Sequence, residues 1–169
     1  MKINLSKHIE TVIKAHVDHP KEEINKYRFF DKKTPYVVHP IWCATTILTE
    51  PKLDFDLRQK GALSLLYHDV LEDTLAPLPE DLPSEIKEWI RDMTFDGGFE
   101  EEQVKLFTKP KEVLLFKLYD KTSNLLDATW MDKELYKTYF DFTQKLSKKV
   151  TKHYGELNIT KILGTLKYR

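Results

Sequence analysis

Apolar residues recur along most of the chain at the three-and-four spacing of amphipathic helices, and no convincing strand pattern accompanies them. Ile9, Val12, Ile13 and Val17 form the first such face, with Ser6 placed to cap it and Pro20 beyond its end. Ile41, Ala44, Ile47 and Leu48 form the second. Pro40 suits its first helical position, which sets His39 at or near the N-cap, and Pro51 stops it. A third helix starts near Asp54 or Asp56. Leu57, Ala62, Leu63, Leu65, Leu66 and Val70 surround it almost completely, so it must be buried. Pro77, Pro79 and Pro83 mark a loop. Ser84 then caps a helix carrying Ile86, Trp89, Ile90 and Met93, and Gly97-Gly98 breaks the pattern.

The run Glu100-Glu101-Glu102 reads as a solvated helix start, where the helix dipole favours acidic residues. The dense apolar run from Val113 to Leu118 suits a strand or a buried helix. The absence of a second strand to pair with selects the helix. Leu135, Tyr136, Tyr139, Phe140, Phe142, Leu146 and Val150 make an aromatic-rich helix ending near Gly155, and Ile159, Ile162, Leu163 and Leu166 a short closing one. The prediction is an all-α bundle of about seven to eight helices. Its 169 residues suit a single domain spanning 1–169 with a sizeable core.

Charge changes this picture little. The 27 basic residues balance the 27 acidic ones, which removes any global pull toward nucleic acid or an anionic membrane. The aromatic helix lacks the interleaved cations of a base-stacking surface. No run approaches the roughly 18–20 apolar residues of a membrane span, and Met1–Lys7 has no long apolar segment after its charge. The lone Cys43 excludes an internal disulfide framework and reads as core filler. A cytoplasmic chain is expected, with oligomeric state left open.

The chemistry concentrates in Leu65–Thr74, where His68-Asp69 and Glu72-Asp73 interrupt an apolar helical pattern. The i, i+4 spacing sets Glu72 one turn beyond His68 and Asp73 one turn beyond Asp69. Three carboxylates and an imidazole at one end of a buried helix are costly unless something positive compensates. A divalent metal would do so, and so would exposure of the cluster as a solvated helix end; both readings are open for this segment alone. His39 could cap a helix or ligate. Asp120 shares a helix face with Asn124 and needs a partner, either a metal or a buried Lys or Arg. His8, His16 and His19 read as surface or helix-end residues.

Taken jointly, His39, His68-Asp69 and Asp120 offer two imidazoles and two carboxylates, a donor set suited to a hard-to-borderline ion such as manganese. The order His … His-Asp … Asp resembles the signature of the HD-domain metal-dependent phosphohydrolases. Thr34–Pro40, Ala62–Thr74 and Lys117–Lys121 with Asn124 resemble more closely the hydrolase domain of the RelA/SpoT proteins and its stand-alone form, the small alarmone hydrolases. The resemblance covers roughly Glu10 to Asp127, and the Glu72-Asp73 doublet separates this branch from other HD proteins. It implies an enzyme that removes the 3′-pyrophosphate from (p)ppGpp with one Mn2+ ion. It further implies His39, His68, Asp69 and Asp120 as metal ligands, and Glu72 and Asp73 as the residues that orient and activate the attacking water. Arg28 would hold carboxylates or substrate phosphate and serve catalysis, and Lys117 and Asn124 would contact the nucleotide. No histidine lies between Asp69 and Asp120, which points to a mononuclear site. The alternative is an HD phosphohydrolase, a nucleotidase or phosphomonoesterase, acting on another nucleotide or phosphorylated small molecule.

Overall fold

The helices with the most continuous apolar surface lie at the centre. They are α3 (Phe55–Tyr67) and α7 (Lys111–Leu126), in a computed structural model that describes residues 4–167. The first three residues of the N-terminal stretch and the last two of the 1–169 span lie outside the described residues. α2 (Val38–Leu48) packs against both central helices. α1 (Leu5–Asp18) and α5 (Ser84–Met93) cover α3, while α8 (Lys133–Tyr154) and α9 (Asn158–Thr165) cover α7. Two short segments complete the set: the single turn α4 (Val70–Asp73) and α6 (Gly98–Lys105). The described residues thus form an all-α bundle of eight longer helices and one turn, with no strand. The run 113–118 is helical, as expected.

Several boundaries differ from the sequence reading. Asn4, not Ser6, caps α1 by accepting from the Lys7 amide. Ser84 is already helical behind Pro83, and α2 begins at Val38, so His39 sits inside its first turn and not at the cap. Asp54 caps α3 and Asp132 caps α8, each accepting an amide at 2.8 Å. α8 stops at Gly155, whose φ of 74° lies in the left-handed region that glycine enters without strain. The buried carboxylate of Glu50 accepts from the Asn158 amide and so holds the start of α9.

The break after α3 matters most. The imidazole Nδ1 of His68 lies 2.6 Å from the Leu65 carbonyl, the acceptor a continuing helix would give to the Asp69 amide. The side chain takes that acceptor, the helix ends at Tyr67, and α4 restarts one turn later. The segment leading into α2 is sewn to this turn. Lys21 donates its amide to Asp73 O at 2.9 Å and Leu75 donates to His19 O at 2.7 Å. Asp31 braces the next bend by accepting from the Lys33 and Thr34 amides, both at 2.9 Å.

The junction of α2, α3 and α7 is tight. A Cβ on Gly61 would come within 2.7 Å of both Ile47 Cδ1 and the Phe116 ring. Gly61→Val is expected to cost about 1–3 kcal/mol through overpacking. Gly164→Ala, on the exposed face of α9 with nothing within 4 Å, is expected to gain up to about 0.5 kcal/mol. Thermal denaturation reads both as opposite displacements of Tm, about 2–4 °C per kcal/mol at this chain length.

Candidate metal centre

Three elements deliver side chains to one buried point. α2 brings His39, the α3–α4 break brings His68 and Asp69, and the middle of α7 brings Asp120, all nearly inaccessible to solvent. The Nε2 atoms of His39 and His68 are 3.3 Å apart. His68 Nε2 is 3.1 Å from Asp69 Oδ1, and His39 Nε2 is 3.3 Å from Asp120 Oδ1. Ligand atoms of His39, His68 and Asp69 lie mutually within 4.8 Å, a group that could hold a metal ion. Asp120 Oδ1 stands against both imidazoles, 3.8 Å from that of His68.

The hydrogen bonds behind these atoms favour a cation. A carbonyl can only accept, so His68 Nδ1 carries a proton toward Leu65 O, and Nε2 is the nitrogen left to hold a second proton or a metal. His39 Nδ1 is likewise engaged, 2.8 Å from Ser123 Oγ. Two imidazole lone pairs at 3.3 Å repel unless a proton or a metal lies between them. In the protein alone a proton takes that place. Burial opposes charge on His68, but Asp69 and Asp120 outweigh it and push its pKa to about 9, while burial pulls His39 down.

A surrounding layer fixes the ligands. Tyr36 donates its hydroxyl to Asp69 Oδ2 at 2.8 Å. Arg28, buried over the Tyr36 ring, donates Nε to Asp127 Oδ2 at 2.9 Å and Nη2 to Asp127 Oδ1 at 3.0 Å and Asn124 Oδ1 at 2.8 Å. Asn124 in turn donates to Asp120 Oδ1 at 2.7 Å. A chain of bonds therefore runs from the 19–37 segment through α7 to a ligand. Beside it opens a cleft of about 230 Å³, with His39, Phe30, Trp42 and Leu126 among its walls.

The acidic doublet sits on α4 at the other side. Glu72 accepts from the Phe95 amide at 3.0 Å, and burial raises its pKa. Burial, with Asp69 and Glu72 adding repulsion, lifts Asp73 to about 7. That value suits a group that must take a proton near neutrality. Lys117 and Lys121 approach the far oxygen of Asp120, at 2.9 and 3.4 Å. Asp120 thus has the buried lysines that the sequence offered as one alternative on one oxygen, and the two imidazoles on the other.

Two expectations are corrected. Glu102 is not solvated; it is 3% exposed and pairs with Lys117 at 3.4 Å and Lys121 at 2.5 Å, because two buried cations one turn apart require a counter-anion. His16 lies in the last turn of α1, a helix-end position as expected, but not at the surface. It is 2% exposed, stacked 5.1 Å from the Tyr36 ring, and burial pulls its pKa down to about 4, so it stays neutral. Tyr36, Ser123 and Asp127 also escaped the sequence reading as supporting groups. The spacing of 120, 124 and 127 at i, i+4, i+7 was the available signal for Asp127.

No protein-family model matches the sequence, and no curated protein matches it. Among solved structures, one described as a metazoan ortholog of SpoT that hydrolyzes ppGpp and plays a role in starvation responses superposes with a TM-score of 0.72. The match has 21% sequence identity and covers 97% of this chain and 93% of that one. The two chains share their fold over nearly their whole length.

With the His68 pKa raised to about 9, binding of a divalent metal is expected to expel about one proton at pH 7. Calorimetry in buffers of different ionisation enthalpy measures this directly. Affinity should rise with pH, by at most about tenfold per unit, and level off near the His68 value of about 9. Ser123→Ala, which frees the His39 ring, should weaken binding about 10-fold to 100-fold.

Proposed function

We propose that the protein is a metal-dependent pyrophosphohydrolase that removes the 3′-pyrophosphate of (p)ppGpp. The observation that carries this reading is the convergence of His39, His68, Asp69 and Asp120 on one buried point, with Glu72 and Asp73 on the adjoining turn. The similar fold of a hydrolase described as acting on ppGpp supports it. On this reading residues 1–169 form one domain, the enzyme works in the cytoplasm on a small nucleotide, and neither nucleic acid nor membrane is a partner. Among the described residues no helix is long and apolar enough to cross a membrane.

The four ligand side chains suit one Mn2+, two imidazole nitrogens with two carboxylates. When bound, such an ion lowers the pKa of water and neutralises phosphate charge. The protein's own groups do the rest. Asp73, with its raised pKa, receives the proton of the attacking water, and Glu72, held by the Phe95 amide, orients that water. Attack at the phosphorus nearest the ribose breaks its bond to the 3′-oxygen. Pyrophosphate departs, and the freed 3′-oxygen takes up the proton that the water gave up, leaving a 3′-hydroxyl. Lys117 would offset charge beside Asp120, Arg28 lines the cleft by His39, and Asn124, bonded to Arg28, would contact the nucleotide from there.

A second reading is an HD phosphohydrolase acting on another nucleotide or phosphorylated small molecule. The pairing of Arg28 with Asp127 and of both α7 lysines with carboxylates favours it, since a highly phosphorylated substrate wants free cations.

Manganese-loaded protein incubated with ppGpp should yield GDP and pyrophosphate on ion-exchange chromatography, and the products should vanish with EDTA or Asp69→Ala. Orthophosphate release from other nucleotides, without ppGpp turnover, would select the second reading. Glu72→Gln should lower kcat about 100-fold to 10,000-fold with metal affinity retained.

A further inference from the structure

Lys117 and Lys121 lie one turn apart on α7, both nearly inaccessible to solvent and both aimed at the far side of Asp120. Their remaining counter-charge comes from outside α7. Glu102 on α6 reaches both ammonium groups. The fit is incomplete, since Glu102 Oε1 is buried and makes no hydrogen bond. A carboxylate in this position does what a phosphate oxygen would do, placing negative charge between two lysines next to a ligand of the metal centre.

The helix that carries Glu102 is lightly held. The closest packing of α6 is on the turn that follows it, Leu106–Thr108. Toward the rest of the bundle it is held by Phe99, 4.7 Å from the Tyr139 ring, 5.4 Å from that of Phe142 and 5.6 Å from the Lys121 ammonium, and by Glu102. At its start Gly98 takes φ of 61°, and preceding Phe95 remains pinned to Glu72. Between the starts of α6 and α8 a hollow of about 610 Å³, lined by Phe99, Gln103 and Leu135 among others, leaves room for displacement.

We propose that Lys117 and Lys121 form a clamp for a substrate phosphate, that Glu102 occupies this clamp as an internal anion, and that α6 swings out at Gly97-Gly98 when a phosphorylated ligand takes its place. The proposal rests on the reading that the site takes phosphorylated ligands, and it adds a gate which that reading does not require. The exchange leaves neither lysine unpaired, since one buried anion leaves as another of at least equal charge enters. Affinity for the incoming anion is reduced by the fraction of molecules in which the clamp is free.

The probe is inorganic pyrophosphate, titrated calorimetrically into manganese-saturated protein. Glu102→Gln keeps the side chain's shape and removes its charge, so it should bind pyrophosphate at least about tenfold tighter than the unaltered protein. Equal or weaker binding overturns the clamp. Hydrogen exchange on the unaltered protein supplies an arm that no folding defect can confuse. Pyrophosphate should speed exchange of the amides in 99–105, and unchanged or slower exchange there overturns the gate. The two readings separate cleanly. Tighter pyrophosphate binding without ppGpp turnover leaves the clamp standing and removes the alarmone substrate, whereas ppGpp turnover with no gain from Glu102→Gln removes the clamp alone.

Discussion

Two imidazole nitrogens pointing at each other across 3.3 Å in a space closed to water set the terms for the rest of the molecule. Buried lone pairs and carboxylates in that arrangement are unfavourable without a cation, and removing the cation leaves each of them uncompensated. The surroundings relieve this in layers. Ser123 and the Leu65 carbonyl engage the backs of the two rings, Tyr36 and Asn124 engage the carboxylates, and Arg28 ties Asn124 to Asp127. The apolar packing of α2, α3 and α7 then holds three separate stretches of chain in register around a point that none of them could stabilise alone.

The site is polarised as well as buried. Lys117 and Lys121 bring positive charge to the far side of Asp120 and act on Glu72 as well, while burial raises the pKa of Glu72 and Asp73 on α4. Asp120 joins the halves, because its two oxygens serve the imidazoles and the lysines separately.

Much of this was legible in the sequence, for physical reasons that also explain the failures. Helix-period spacing revealed the faces of α5 and α8, since burial of one stripe leaves a local record, whereas α7, buried nearly all round, was recognised only by the absence of a second strand. His39, His68, Asp69 and Asp120 could be grouped because two polar residue types interrupt apolar helical stretches in a familiar order. His16 was misread because a single histidine on an amphipathic helix gives no sign of which neighbour will cover it, and Tyr36 comes from a different segment. Glu102 was misread for the same reason. Its burial is decided by lysines 15 and 19 positions later, and a run of three glutamates looks solvated until those cations are placed beside it.

The bond from His68 to the Leu65 carbonyl ties the path of the backbone to the location of one proton. Asparagine or glutamine at position 68 could imitate the polarity of histidine and aspartate could imitate its affinity for metals. An acidic side chain, having no proton to offer, would return the carbonyl to the helix. The turn between α3 and α4 would then lose the side-chain contact that marks it, and with it the placement of Glu72 and Asp73 relative to His39 and Asp120. Position 68 therefore ties the path of the backbone to the cluster of buried polar groups in a single residue.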